Sequence, residues 1–197
     1  MIIRNFKSPI LSEYCIVDNE ISNDIVEKMK PPKRDIWHYD WAEISCFGIL
    51  FGDTIKIILR EKDDDEDIFK NKIIEELDKH KSVYAFNKDM EFNNYKGYLG
   101  KVYDVKEIQA FHGRGKNKQY FIKELMDDSI IKKSDIPIDP IEDDSKKCIE
   151  LYQKEDYETI INHNLVDLVK QAILLKHKDY LFEKYKDKID ENGWFIA

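Results

Sequence analysis

The sequence predicts an α/β fold, a mixed sheet of five strands flanked by helices. Three observations carry that expectation. β-rich runs separated by turn residues fill the first half of the chain, and helical periodicity takes over in the second half. Acidic residues also fall at the ends of expected strands and along one helix face.

The first expected strand is Glu13 to Glu20, whose apolar run Tyr14-Cys15-Ile16-Val17 leads into Asp18-Asn19-Glu20. Residues 1–12 read as an extension before the domain, which is expected to span 13–176. Between Ile21 and Trp41, Pro31-Pro32 interrupts any helix begun at Asp24. The basic residues there, followed by Trp37, Tyr39 and Trp41, suit either a single-stranded nucleic-acid contact or an edge strand. Glu43 to Phe51 and Thr54 to Arg60 are two β-rich runs joined through Gly52-Asp53, a hairpin signal. The acidic run Asp63 to Asp67 suits the positive end of a helix dipole, and a stripe of Ile68, Phe69, Ile73, Ile74 and Leu77 continues that helix to Lys79.

Ser82 to Phe86 is the fourth expected strand, Asn87 the N-cap of a short helix running to about Gly97, and Lys101 to Val105 the fifth strand. The loop His112 to Lys118 concentrates positive charge around two glycines, as an exposed loop or as a phosphate contact through Arg114 and Lys116. A helix follows over Gln119 to Met126, then an extended crossing from Asp128 to Asp144 with Pro137 and Pro140. From Leu165 the apolar residues Leu165, Leu168, Val169, Ala172 and Ile173 recur at helical spacing, so Tyr157 to Leu175 reads as a helix packed on the core. Residues 177–197 read as a charged helical tail.

Composition narrows the classes. With 42% hydrophobic residues among 197, the chain can bury one sizeable core. A net charge of -8 speaks against a broad nucleic-acid-binding surface, so a polyanion must meet a local basic patch or metal ions. Three scattered cysteines without a C-x-x-C pair suggest neither a disulfide framework nor a zinc site, and fit a reducing, cytoplasmic setting. No stretch has the length of a membrane span.

The candidate chemistry lies in acids whose spacing places them together. Asp18 and Glu20, two apart on a strand, face the same way. His163 and Asp167, four apart on a helix, stack on one face. Like charges held side by side repel unless a cation sits among them.

In order, these motifs resemble the ribonuclease H-like superfamily, specifically its DEDD-type 3′–5′ exonucleases and the divergent archaeal and bacterial domains near them. Asp18 and Glu20 match the first motif. Ala85-Phe86-Asn87-Lys88-Asp89-Met90-Glu91 matches the second, with Glu91 at the family's Asp position. His163-Asn164-Leu165-Val166-Asp167 matches the third. The resemblance implies a ribonuclease H-like sheet and a pair of Mg²⁺ or Mn²⁺ ions held by Asp18, Glu20, Glu91 and Asp167. It implies that His163 orients or deprotonates the attacking water, with Asn87 and Asn164 facing the substrate. The implied reaction is 3′–5′ hydrolysis of single-stranded DNA or RNA, with Arg114, Lys116 and Trp37 on the strand. The alternatives are a nuclease-fold binding protein without catalysis, and a protein-interaction module built on the aromatic stretch from Trp37 to Trp41.

Overall fold

The computed structural model describes residues 1–22, 43–108, 118–142, 144 and 147–188. Trp37, Arg114 and Lys116, with the basic-aromatic stretch and most of the glycine-containing loop, lie outside these residues. The elements in order are β1 (Ile2–Ile21), β2 (Ile44–Leu59), α1 (Glu66–Leu77), β3 (Val83–Ala85), α2 (Lys88–Tyr98), β4 (Val105–Glu107), α3 (Lys118–Asp127), α4 (Lys147–Gln153), α5 (Tyr157–Lys176) and α6 (Lys178–Tyr185). Single 3₁₀ turns occupy Lys133–Asp135 and Lys186–Lys188.

The sheet is mixed, as expected, but has four strands in the order β2-β1-β3-β4 instead of five. β2 is antiparallel to β1, whereas β3 is parallel to both β1 and β4. The fifth strand disappears because the two runs around Gly52-Asp53 remain one strand, Ile44–Leu59. That strand is sharply bent: the Arg60 amide donates to the Ser45 carbonyl at 2.9 Å. A straight strand would hold residues so far apart in sequence about 50 Å from each other. Gly52, at φ 64°, supplies the left-handed backbone at the bend. The expected hairpin is therefore a fold within one strand.

β1 follows the same curl. Ile2 to Lys7 pair with Leu59 to Thr54, and Ile16 to Glu20 with Leu50 to Cys46, with register shifts between Lys7 and Ser12 and between Ser12 and Ile16. The hydroxyls of Ser8 and Ser12 stabilise the irregular part, each accepting from the amide two residues on and donating to that residue's carbonyl. Residues 2–12 thus belong to the sheet. β4 begins at Val105, where the expected strand ended, and α6 sends Leu181 and Tyr185 into the core.

Two apolar layers sandwich the sheet, and strand alternation sorts side chains between them. Ile16, Cys46, Leu50, Ile55, Ile57 and Leu59 face the layer formed with α3, α5 and α6. Cys15, Val17, Ile44, Phe47, Ile49 and Ile58 face the layer of α1 and α2. Because Asp18 and Glu20 continue the Ile16 parity, they meet α5.

The helix starts are chemically legible. Asp65 caps α1 by accepting from the amides of Asp67 and Ile68, Asn87 caps α2 through Met90, and Asp156 caps α5 through Thr159. No helix among the described residues is long and apolar enough to cross a membrane.

Candidate metal centre

Helix α5 carries two buried stripes. One is the apolar stripe read from the sequence. The other is polar: His163, Asn164, Asp167, Lys170 and Gln171, spaced at one and two turns, are all buried. Burying such a stripe is costly unless its polar groups find partners; most do, on β1, at the start of α3 and on two connections, whereas His163 Nε2, Asn164 Oδ1 and Asp167 Oδ1 make no hydrogen bond.

Gly48 allows the approach. It pairs with Asp18 across the strands, and a Cβ there would sit 1.9 Å from Asn164 Oδ1 and 2.7 Å from Leu168 Cδ1. Into that space Asn164 brings its amide, donating to Asp18 Oδ2 at 3.0 Å and to the Asp18 carbonyl at 3.2 Å. Gln171 donates to Asp18 Oδ1 and accepts from the Phe86 amide at 3.1 Å, which ties α5 to the end of β3. Asn164, expected to face a substrate, is completely buried and instead fixes Asp18.

Around this anchor three carboxylates converge. Asp18, Glu20 and Asp167 are all buried and present oxygens within 4.8 Å of one another. The Lys118 ammonium, at the first residue of α3, lies 3.2 Å from Asp18 Oδ1 and bonds Asp167 as well. On the far side, His163 Nδ1 meets Asp139 Oδ1 at 2.9 Å, and its Nε2 faces Glu20 Oε1 at 3.6 Å and Asp167 Oδ2 at 3.8 Å. Lys170 spans Asp139 at 2.9 Å and Asp167 at 3.5 Å.

Glu91 lies outside the tight trio. It is on α2, whose Tyr95 and Tyr98 pack on the opposite face of the sheet. It is buried, one of its oxygens has no hydrogen bond, and the Asp18 charge still acts on it. Asn87 is occupied as the α2 cap.

The electrostatics follow from acids held in a dry place. Burial, then the Asp18 charge, pushes the Glu20 carboxyl up to about 8. Burial raises Asp18 too, and lifts Glu91 well above the carboxylate range. Asp167 goes the other way: burial opposes ionisation, but Lys118, His163 and Lys170 together outweigh it. For His163, burial disfavours the cation, yet the Asp139 hydrogen bond and the Glu20 and Asp167 charges carry it up to about 9.

Five carboxylates (Asp18, Glu20, Glu91, Asp139 and Asp167) thus face two ammonium groups and one imidazole. In the metal-free chain the raised carboxyls of Asp18, Glu20 and Glu91 hold protons, so a cation entering the centre takes the place of those protons. The innermost donors are all oxygen, the set preferred by hard divalent cations, and Asp18, Glu20 and Asp167 are the residues that could hold one. Lys118 shows where cationic charge is wanted.

Lys118, Asp139, Lys170 and Gln171 were not expected as site residues. The polar spacing of Lys170 and Gln171 with Asp167 and Asn164 was a readable signal. Lys118, at the start of α3, and Asp139, on the connection that follows α3, are distant in sequence from β1 and α5, and periodicity cannot place them. No family model, curated protein or solved structure matches this chain, so the chemistry of the centre rests on its own side chains.

Proposed function

We propose that this chain is a metal-dependent nuclease of ribonuclease H-like design that hydrolyses single-stranded DNA or RNA from the 3′ end. The observation that carries the reading is the convergence of Asp18, Glu20 and Asp167, from one strand and one helix, with oxygens within 4.8 Å of one another. The sheet supports it: β3 and β4 run parallel to β1 on one side and β2 antiparallel on the other. A pair of Mg²⁺ or Mn²⁺ ions would supply an activated water and charge stabilisation for the leaving oxygen.

The protein's own residues have separable tasks. Asn164 and Gln171 hold both oxygens of Asp18, so that carboxylate is pre-organised. Glu20 and Asp167 complete the cation-binding wall. Asp139 fixes one ring nitrogen of His163 and directs the other, Nε2, toward that wall, where the neutral ring, the form present once the imidazolium has lost its proton, takes a proton from a water molecule. Glu91, buried and within reach of the Asp18 charge, would act through a water held by the ion.

One observation favours a second reading, a nuclease-fold protein that binds nucleic acid without cutting it. Lys118 already bridges Asp18 and Asp167, setting one positive charge between two of the three carboxylates. If that bridge persisted in solution, the trio would be structural.

Digestion of 5′-labelled single-stranded DNA and RNA with Mg²⁺ or Mn²⁺, beside an Asp167→Asn control, separates the readings. The nuclease gives a ladder shortening from the 3′ end that the control lacks. Equal inertness of two folded proteins removes catalysis, and retention of oligonucleotide in chelator then supports the binding protein.

A further inference from the structure

Cys148 has no part in the nuclease reading, yet it borders the same centre. It lies on α4, is buried, and its thiol stands against Glu20. Its sulfur, a Glu20 oxygen and a His163 ring nitrogen lie within 4.8 Å of one another.

The imidazole is arranged as a metal ligand would be. Nδ1 is engaged by Asp139, the carboxylate-histidine pairing that fixes a ligating ring. Nε2 makes no hydrogen bond although the side chain is 1% exposed. Its 3.6 Å separation from Glu20 Oε1 is too long for a good hydrogen bond. It matches the roughly 3.3–3.8 Å edge of a tetrahedron whose ligands stand about 2.0–2.3 Å from a shared ion.

We propose that Glu20, Cys148 and His163 form a site for a thiophilic divalent cation of the zinc class, with a fourth position open to water. Thiolate and imidazole select such an ion over Mg²⁺, which the all-oxygen trio suits better. On binding, the S–H bond gives way to a sulfur-metal bond, and the thiol proton, the imidazolium proton on Nε2 and the proton of the Glu20 carboxyl all leave to solvent. Glu20 belongs to both donor sets, so the soft and hard ions exclude each other. Zinc is therefore an inhibitor of the centre, a consequence that rests on the nuclease reading whereas the binding itself does not.

Co²⁺ is the probe, because a thiolate ligand gives it a near-ultraviolet charge-transfer band and tetrahedral geometry gives it intense visible bands. Titrated into the metal-free full chain, Co²⁺ should produce both, saturating at one equivalent and bleached by one equivalent of Zn²⁺. Cys148→Ser should lose the charge-transfer band, with Cys148→Ala as the second variant and circular dichroism confirming the fold of each. Asp139→Asn, which leaves all three ligands in place, should weaken Co²⁺ binding by roughly 10–100-fold. Uptake of Co²⁺ with only the pale spectrum of an oxygen-ligated ion overturns the proposal, and so does a band that survives in folded Cys148→Ser. Neither result depends on nucleic-acid cleavage, so failure of the nuclease reading is seen separately.

Discussion

His163 and Asp139 show how one hydrogen bond sets a residue's role. A buried imidazole ordinarily becomes harder to protonate, but here the 2.9 Å contact with Asp139 and the charges of Glu20 and Asp167 reverse the direction. Asp139 in turn is held far below the carboxylate range: burial opposes its ionisation, and the bonds from His163 and Lys170 overcome that cost. Replacing Asp139 by Asn keeps the shape and removes the charge that supports the imidazolium. On the proposed nuclease reading, Asp139→Asn should therefore lower kcat by about 10–100-fold, leave KM nearly unchanged, and move the acidic limb of the pH-rate profile downward. A merely structural Asp139 would move stability and leave that limb in place. Gly48 makes the complementary point about space. The contacts awaiting a Cβ are side-chain atoms of Asn164 and Leu168, both in the packed core, so neither can yield freely. Gly48→Ala should cost about 1–3 kcal/mol in urea unfolding, and it should weaken metal binding as Asn164 withdraws from Asp18.

At the scale of elements, α2 offers a clean test of what Asn87 does. Its side chain accepts from the Met90 amide at the helix start, and the helix it caps carries Glu91. Asn87→Ala should destabilise the chain by about 1 kcal/mol, whereas Asn87→Asp, an equally good cap, should be close to neutral in thermal unfolding. A residue that instead touched the substrate would lose activity in both variants. The capped helices were legible because an N-cap is a local interaction, written in a few adjacent residues. Ile16, Asp18 and Glu20 could likewise be assigned to one face because strand parity is local, and α5 because its apolar period is unbroken. What stayed hidden was non-local. β1 starts eleven residues before the expected strand because Ser8, Pro9 and Ser12 break the alternation, and the shifts they cause show only once β2 lies alongside. The two runs of β2 looked separate since Gly52-Asp53 has turn composition, yet extended pairing continues through the bend. Lys118 and Asp139 reach the centre through tertiary contacts with α5, 49 residues from Asp167 and 24 from His163. In the sequence they are one lysine and one aspartate among many.

For the whole molecule, the acids of the centre couple stability to pH and, on the proposed reading, to metal. Glu20 titrates at about 8 in the folded chain against a reference of 4.5, and His163 at about 9 against 6.5. Both groups hold more protons folded than unfolded across those intervals. Their contribution is thus fully present below the unfolded values and lost as pH rises through the folded ones. The lowered values of Asp139 and Asp167 act in the opposite sense, giving stability that disappears only as pH falls below the ordinary carboxylate range. In chelator the melting temperature should consequently be highest near pH 5 to 6 and decline toward pH 9. Divalent ions compete with the same protons, so stabilisation by Mn²⁺ should be small at pH 5 and grow over the interval where the metal-free chain weakens. At a hundred times Kd the gain is about 2.7 kcal/mol, or roughly 5–10 °C for a chain of this length. Asp18→Asn should flatten the response to Mn²⁺ while relieving part of the alkaline decline, since the Asp18 charge is the second cause of the raised Glu20 value. Scanning calorimetry at pH 5, 7 and 9, with and without Mn²⁺, reads all of these effects. If the alkaline decline appears without any gain from Mn²⁺, the carboxylates are as crowded as the structure shows but Lys118 is their permanent counter-ion, and catalysis by hard metals is ruled out. If the gain appears and vanishes in Asp18→Asn, Lys118 gives way to the ion, and the bridge between Asp18 and Asp167 belongs to the metal-free state.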